Sequence, residues 1–109
     1  MSKSVNFDLT GKVMIVTGAS KGIGKAIALA AAEWGADLAL GNRNVADCAE
    51  VVAACRDLGR RVEAWELDVA KVSSINAFVD KTVATFGRVD SFVNNAGYNT
   101  PKPALDYTE

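Results

Sequence analysis

Two kinds of hydrophobic pattern alternate along this chain. Short, continuous apolar runs are typical of β-strands covered on both faces, as in a parallel sheet. Longer stretches with apolar residues at every third or fourth position indicate helices with one buried face. The continuous runs predict strands at residues 13–17, 38–40, 62–67 and 91–94. The periodic stretches predict one helix after each of the first three strands.

Each predicted helix has an apolar face and residues that mark its ends. Asn44 is expected to cap the second helix, and either Ser73 or Ser74 the third, because such side chains accept hydrogen bonds from free helix amides. The glycines expected to end the three helices are Gly35, Gly59 and Gly87. The predicted inward-facing residues are Ile23, Ile27, Ala30, Ala31 and Trp34 in the first helix, Val45, Val51, Val52, Cys55 and Leu58 in the second, and Ile75, Phe78, Val79, Val83 and Phe86 in the third.

This alternation of strands and helices predicts an α/β fold. Strands separated by helices of this length form a parallel sheet with right-handed crossovers. The character of the sequence changes only after Gly97, where Pro101 and Pro103 interrupt regular structure. Residues 106–109 look like the first residues of another helix, which predicts that the chain stops as an element begins.

Composition narrows the classes of function. The chain has 109 residues, of which 50% are hydrophobic and 23% charged, and this balance is typical of one small globular domain. Its net charge of −1 gives no reason to expect nucleic acid or an anionic membrane as partner. Without an apolar run of spanning length or a signal sequence, a cytoplasmic location is expected.

Cysteine and histidine counts exclude several kinds of site. The chain has no histidine, so it contains no His-dependent triad, and with two cysteines it lacks the ligands for a zinc site. Cys48 and Cys55 are seven positions apart, about two helical turns, which is too far for a disulfide. We expect both to be reduced packing residues, and we expect no metal.

A glycine-rich segment, Thr17-Gly-Ala-Ser-Lys-Gly-Ile-Gly24, lies between the first predicted strand and helix. A turn of this kind brings backbone amides and the positive end of a helix to a pyrophosphate. Gly18 permits the tight turn, Gly22 permits close approach of a phosphate, and Gly24 lets the helix pack closely on the sheet. The alternative is a glycine-rich turn that binds nothing, but the strand and helix on either side favour dinucleotide binding.

Four motifs in order resemble the short-chain dehydrogenase/reductase family. They are TGASKGIG in the first strand-to-helix turn, NNAG after the fourth strand, the lead-in Leu9-Thr-Gly-Lys-Val13, and Leu67-Asp-Val69. The resemblance covers essentially the whole chain, but only the N-terminal, cofactor-binding part of the family's usual length. It implies a Rossmann-type, doubly wound parallel sheet in three α/β/α layers, with only the first four strands present in residues 1–109.

The resemblance also implies a set of cofactor-binding residues. Backbone groups of the glycine-rich turn would hold the cofactor phosphates, the Asp68 carboxylate and the Val69 amide would meet the adenine, and the NNAG segment would lie beside the adenosine ribose. For Asp68, capping of the next turn is the alternative role. Asn94 is expected to brace the sheet rather than bind cofactor. The expected phosphate, adenine and ribose residues are Gly18, Ser20, Lys21, Gly22, Ile23, Gly24, Asp68, Val69, Asn95, Ala96 and Gly97.

The end of the second strand bears on the choice of cofactor. NAD-specific dinucleotide folds commonly have an acid there, which accepts hydrogen bonds from the ribose hydroxyls. This chain has Asn42 followed by Arg43, and a guanidinium can pair with a 2′-phosphate. Lys21 adds a second cation. NADP(H) is therefore favoured, NAD(H) stays open because Asn42 is neutral, and both cations have a solvated surface role as the alternative.

Tyr98 and Lys102 have the Y-x-x-x-K spacing of the family's catalytic pair, but we interpret the match as coincidence. Pro101 and Pro103 disfavour the helix that would bring the two side chains to one face. No catalytic residue is assigned, and the catalytic part is expected to lie outside residues 1–109.

Two hypotheses remain at this point. In the first, the whole protein is a short-chain oxidoreductase that acts on a carbonyl or alcohol, such as a 3-oxoacyl reductase or small-alcohol dehydrogenase, and is a homo-oligomer. The 109-residue chain alone would then be inactive. In the second, the chain is a non-catalytic nucleotide-binding module.

Overall fold

The computed structural model describes residues 8–95, which contain four strands, three α-helices and one 3₁₀ helix. The strands are β1 (Val13–Thr17), β2 (Asp37–Asn42), β3 (Val62–Glu66) and β4 (Ser91–Asn94), and the α-helices are α1 (Gly22–Glu33), α2 (Ala49–Asp57) and α3 (Val72–Phe86). The 3₁₀ helix, Val45–Cys48, leads directly into α2. The predicted order of elements is confirmed, and β2 is longer than the three apolar residues from which it was predicted.

The four strands form one parallel sheet in the order β3-β2-β1-β4. Val16 on β1 aligns with Leu40 on β2 and with Val93 on β4, so the three strands end at nearly the same level. After β3 the chain crosses back to the far side of β1, which makes the carboxyl ends of β1 and β4 the point where the winding reverses. Ligands of open α/β sheets bind at such a point.

Side chains alternate between two cores, one on each face of the sheet. Val16, Leu38 and Leu40 pack with buried residues of α1 and α2, whereas Ile15 and Ala39 pack with Phe78 and Phe86 of α3. This confirms the predicted three-layer, Rossmann-type α/β fold.

The two cysteines lie in the core shared by α1 and α2. Cys48 and Cys55 are both buried and free, and burial raises the pKa of both thiols. The Cys55 thiol lies 3.8 Å from the Ala28 carbonyl oxygen, to which it donates. The expectation of reduced packing residues is confirmed.

The buried face of α1 differs from the predicted one. Gly24 and Ala28 are buried together with the correctly predicted Ala31, whereas Ile23 is 70% exposed and Ala30 is also exposed. The prediction followed the bulky apolar residues, but small residues face the sheet because they allow the helix backbone to approach it closely. The true face is turned by about one residue, or 100°, from the predicted one.

The ends of α2 and α3 agree with the sequence prediction only in part. Asn44 caps the 3₁₀ helix, as predicted, by accepting a hydrogen bond from the Ala46 amide at 3.1 Å. The serine cap predicted for α3 is wrong, because α3 begins at Val72 after Lys71 and has no side-chain cap. Gly59 and Gly87, with φ of 85° each, follow the two helices as predicted.

Three residues assigned to the buried helix faces are partly exposed. Val45, Leu58 and Val83 expose 38%, 43% and 47% of their surface. In α3 the buried position next to Val83 belongs to Thr82, whose hydroxyl donates to the Phe78 carbonyl at 2.9 Å. A threonine can replace an apolar residue there because the helix itself satisfies its hydroxyl.

Charged side chains bind backbone groups at the amino end of the sheet. Arg60 Nε donates to the Ala32 carbonyl at the end of α1, and Arg61 Nη2 to the Thr85 carbonyl at the end of α3, both at 2.8 Å. The Arg61 guanidinium also lies 4.9 Å from the centre of the Phe86 ring. The two neighbouring arginines therefore join helices from opposite faces of the sheet.

Two aspartates satisfy backbone amides at this same end. Asp37 Oδ1 accepts from the Arg61 amide at 3.0 Å, and Asp90 Oδ2 accepts from the Val13 amide at 2.8 Å. Within residues 8–95, no helix is long and apolar enough to cross a membrane.

Candidate functional site

Within residues 8–95, the predicted cofactor-binding residues lie at the carboxyl end of the sheet, in turns or at the adjoining ends of strands and of α1. The Gly18 amide donates to the Gly41 carbonyl at 2.8 Å, and the Leu67 amide donates to the Asn42 carbonyl at 2.9 Å. These bonds continue the sheet ladder into the turns after β1 and β3. The structure therefore places the glycine-rich turn, the Asn42–Arg43 segment and the Asp68 segment side by side.

The glycine-rich turn has the backbone conformation that its sequence predicts. Gly18 and Gly22 have φ of 61° and 62°, a region that residues with a side chain rarely adopt. A Cβ on Gly22 would face open space. A Cβ on Gly24 would collide with the Gly18 carbonyl and lie 2.7 Å from Asn95 Nδ2. Gly24 is therefore required for close packing, while Gly22 leaves the outer side of the turn open.

The amino end of α1 is suited to an anion. Lys21 precedes the first turn of the helix, no side chain caps that turn, and no acidic residue lies in it. Free backbone amides and the helix dipole favour negative charge at such an end. Together with the open side of the glycine-rich turn, this arrangement fits the pyrophosphate of a dinucleotide.

A hydrogen-bonded cluster joins the glycine-rich turn to the end of β4. The buried Thr17 hydroxyl donates to Asn94 Oδ1 at 2.9 Å and accepts from the Asn95 amide at 2.8 Å. Asn95 Nδ2 donates to the Gly18 carbonyl at 3.3 Å. Asn94 thus braces β4 against β1, as the sequence indicated. Asn95 braces the turn as well, a role that the sequence analysis did not assign to it.

The segment after β2 forms a short bridged turn. Asn42 Nδ2 donates to the Asn44 carbonyl at 2.9 Å, across the exposed Arg43. Within residues 8–95, neither Arg43 nor Lys21 makes a side-chain hydrogen bond or ion pair. Two cations at the same end of the sheet therefore have no partner in this part of the protein.

Asp68 caps the turn that follows β3. Its Oδ1 accepts from the Ala70 amide at 3.0 Å, and its own amide donates to Ser74 Oγ at 2.9 Å. The alternative role in turn capping is thus present in the structure. It engages one carboxylate oxygen, so the adenine contact stays a prediction, as does that of the half-buried Val69.

Several residues discussed in the sequence analysis lie beyond the part of the chain that the structure describes. Ala96 and Gly97, as well as Tyr98 and Lys102, lie outside the described residues. Within residues 8–95, no cluster of three or more histidine, cysteine or acidic side chains could hold a metal ion.

Comparison with known proteins identifies the family to which this arrangement belongs. The family model described as short chain dehydrogenase matches residues 12–109, which is most of the chain. The chain belongs to the short-chain dehydrogenase family.

Several members of the short-chain dehydrogenase family are similar in sequence. The chain is 38% identical over 103 residues to 2-dehydro-3-deoxy-D-gluconate 5-dehydrogenase of Escherichia coli, covering 94% of this chain and 40% of that protein. It is 47% identical over 90 residues to L-rhamnose 1-dehydrogenase (NAD(P)(+)) of a Sphingomonas species, covering 82% of this chain and 35% of the relative. The chain thus spans about two fifths of the length of these relatives.

Solved structures of short-chain dehydrogenases have the same fold. A hydroxysteroid dehydrogenase from Escherichia coli superposes with a TM-score of 0.83 at 36% identity, covering 94% of this chain and 46% of that one. A short-chain type dehydrogenase/reductase from Mycobacterium marinum superposes with a TM-score of 0.84 at 35% identity, covering 93% of this chain and 40% of that one.

Three residues important for the geometry of this short-chain dehydrogenase site were not assigned to it from sequence. Thr17 was assigned to the end of β1 and the start of the glycine-rich segment but to no contact, although a threonine at the end of a buried strand signals a hydroxyl in need of partners. Gly41 was not considered, yet a Cβ there would lie 2.6 Å from Leu67 Cδ2. Ser74 was considered only as a helix cap, but its hydroxyl accepts from the Asp68 amide in the turn between β3 and α3.

Proposed function

We propose that this chain is the cofactor-binding part of an oxidoreductase that transfers a hydride between NADP(H) and a carbonyl or alcohol substrate. Membership of the short-chain dehydrogenase family supports the reaction class. The cofactor assignment rests on one observation: Lys21 and Arg43, beside a turn suited to pyrophosphate, have no partner within residues 8–95. The substrates named for the relatives, a sugar acid, a sugar and steroids, are alcohols or ketones in each case and support no narrower substrate class.

Each part of the crevice has a distinct task in this proposal. The backbone of the glycine-rich turn binds the pyrophosphate, assisted by the dipole of α1. The free carboxylate oxygen of Asp68 accepts from the adenine amino group, and the Val69 amide donates to a ring nitrogen. Asn95 would contact the adenosine ribose, together with Ala96 and Gly97, which lie outside the described residues. These residues bind and orient the cofactor, which itself supplies the hydride chemistry.

The preference for NADP(H) rests on charge at the end of β2. A carboxylate at position 42 would repel a 2′-phosphate, whereas Asn42 is neutral. The Arg43 guanidinium can donate two parallel hydrogen bonds to a phosphate. Within residues 8–95 no acidic side chain pairs with Arg43, so binding a phosphate would break no existing ion pair.

Binding and chemistry are separated in this proposal. Residues 8–95 contain no tyrosine, and Tyr98 and Lys102, whose spacing we interpret as coincidence, lie outside the described residues. The catalytic tyrosine and lysine are therefore assigned to a part of the whole protein beyond this chain. Homo-oligomeric assembly and a cytoplasmic location stay predictions from the sequence.

The test compares the affinities of the whole protein for NADPH and NADH. Arg43→Ala should weaken NADPH binding about 10- to 100-fold, the range for loss of a hydrogen bond between charged groups, and change NADH affinity less than about twofold. Fluorescence titration of each reduced nucleotide measures both constants. Lys81→Ala, which removes an exposed cation from α3, is the matched control. Equal affinity of the unmodified protein for the two nucleotides would refute the cofactor assignment.

A second measurement separates an enzyme from a nucleotide-binding module. NADPH oxidation by the whole protein should be followed against a panel of ketones, and NADP⁺ reduction against the corresponding alcohols. Tight nucleotide binding without turnover in either direction would favour the non-catalytic module.

A further inference from the structure

The side chain of Asn42 bridges the turn that carries Arg43. Asn42 is the last residue of β2, and its carbonyl accepts from the Leu67 amide at 2.9 Å, so its backbone is fixed by the sheet. Its side-chain Nδ2 donates to the Asn44 carbonyl at 2.9 Å. Because a carbonyl only accepts, the residue at position 42 must supply a donor for this bond to form.

The far side of the turn is also fixed. Asn44 has extended backbone angles, φ −111° and ψ 105°, and its Oδ1 accepts from the Ala46 amide at the start of the 3₁₀ helix. One asparagine thus ties the turn to β2, and the other ties it to the helix. Arg43 lies between these two anchors and is exposed. The backbone from which its side chain extends is therefore held on both sides.

We propose that Asn42 is a positioning residue for cofactor selectivity, acting through Arg43. Its amide donor holds the 42–44 turn closed, which fixes the backbone of Arg43 beside the ribose site before the cofactor arrives. A positioned cation loses less conformational freedom when it pairs with a 2′-phosphate, so its contribution to binding is larger. This inference rests on the proposed function and adds a specific role for the amide, beyond the absence of an acid at position 42.

A double-mutant cycle in the whole protein tests whether Asn42 acts through Arg43. The four proteins are the unmodified enzyme, Asn42→Ala, Arg43→Ala and the double variant, each titrated with NADPH and with NADH. Asn42→Ala should weaken NADPH binding about three- to tenfold, the range for one neutral hydrogen bond, and leave NADH within about twofold. In the Arg43→Ala background the same change should have no further effect on NADPH, because coupled residues are not additive.

Controls separate positioning from general structural damage. Asn76→Ala removes an exposed asparagine on α3, across the sheet, and should change neither affinity. The turnover number at saturating NADPH should be the same in Asn42→Ala and the unmodified enzyme. Asn42→Asp keeps the shape but cannot donate at neutral pH and would also repel a 2′-phosphate, so it should lose more NADPH affinity than Asn42→Ala.

The possible outcomes distinguish the two proposals. If Arg43→Ala leaves the NADPH affinity unchanged, the proposed cofactor assignment fails. If Arg43→Ala weakens NADPH binding but Asn42→Ala has the same effect with and without Arg43, the assignment stands and the positioning role is refuted. An equal loss of NADPH and NADH affinity in Asn42→Ala also refutes it, because that result indicates a disrupted turn rather than a lost contact to phosphate.

Discussion

Charged side chains at the two ends of the sheet differ in whether they have partners within the fold. At the amino end, Arg60, Arg61 and Asp90 bind backbone groups of neighbouring elements, and so connect helices and strands that are distant in sequence. At the carboxyl end, Lys21 and Arg43 have no partner within residues 8–95. The amino-end charges therefore stabilise the fold, whereas Lys21 and Arg43 leave their charge available to a ligand.

This difference predicts which substitutions should affect stability and which should affect cofactor affinity. The amino-end charges that satisfy backbone groups contribute to folding, and their removal should lower stability without changing cofactor affinity. Cations without an internal partner contribute little to folding, and their removal should lower affinity for an anionic ligand with the fold intact. Residues that pack the backbone at the ligand-binding end should affect both properties.

Gly24→Ala should have the largest effect, and it should lower both stability and cofactor affinity. The new Cβ would collide with the Gly18 carbonyl, which is backbone and cannot rotate away. We expect a loss of about 3 kcal/mol in the free energy of unfolding, at the upper end of the range for overpacking. NADPH affinity should fall as well, because α1 must shift away from the glycine-rich turn. Urea denaturation and NADPH titration measure the two effects.

Gly22→Ala is the matched control for this prediction. Its Cβ would face open space, so only the strain of a positive φ remains, about 1–2 kcal/mol. If Gly24→Ala were no more destabilising than Gly22→Ala, the close contact between α1 and Gly18 would not hold in solution.

Arg60→Ala and Arg61→Ala, at the amino end of the sheet, should lower stability without changing cofactor affinity. Each removes a donor to the last carbonyls of a helix, and Arg61 also loses its contact with the Phe86 ring. We expect each to lower the free energy of unfolding by about 1 kcal/mol, typical of one hydrogen bond. The affinity for NADPH should stay unchanged, whereas Arg43→Ala should give the reverse result. A loss of NADPH affinity in either amino-end variant would contradict the separation.

The sequence predicted the strands, and which segments meet at one edge of the sheet, for one physical reason. A strand buried on both faces needs a continuous apolar run, and the residues after it lie at the ligand-binding edge of a parallel sheet. Strand positions therefore placed Gly18, Asn42, Asp68 and Asn95 at one edge without any knowledge of tertiary contacts. The family motifs added the cofactor roles, which stay predictions.

Helix faces and hydrogen-bond partners were predicted less well. In α1 the buried positions belong to Gly24, Ala28 and Ala31, because close packing selected small residues over bulky ones. Ser74 was assigned to a local cap, but its hydroxyl contacts the Asp68 amide of another segment. Such partners depend on how elements meet in space, which local periodicity does not record.

Asp90→Asn should have the smallest effect, and it should depend on pH. The hydrogen bond from Arg88 at 2.6 Å, followed by the one from the Val13 amide, lowers the pKa of Asp90 below its usual value. A carboxyl with a lowered pKa in the folded state stabilises the protein above its unfolded pKa, about 4, and this stabilisation is lost as pH falls through the folded pKa. The variant should therefore be less stable than the unmodified protein at neutral pH, and the two should converge in acid. Urea denaturation of both proteins at a series of pH values measures the difference, with Asp80→Asn as the control for loss of one exposed carboxylate on α3. A difference that stays constant across the acid range would show that the ionised Asp90 carboxylate does not stabilise the amino end of the sheet.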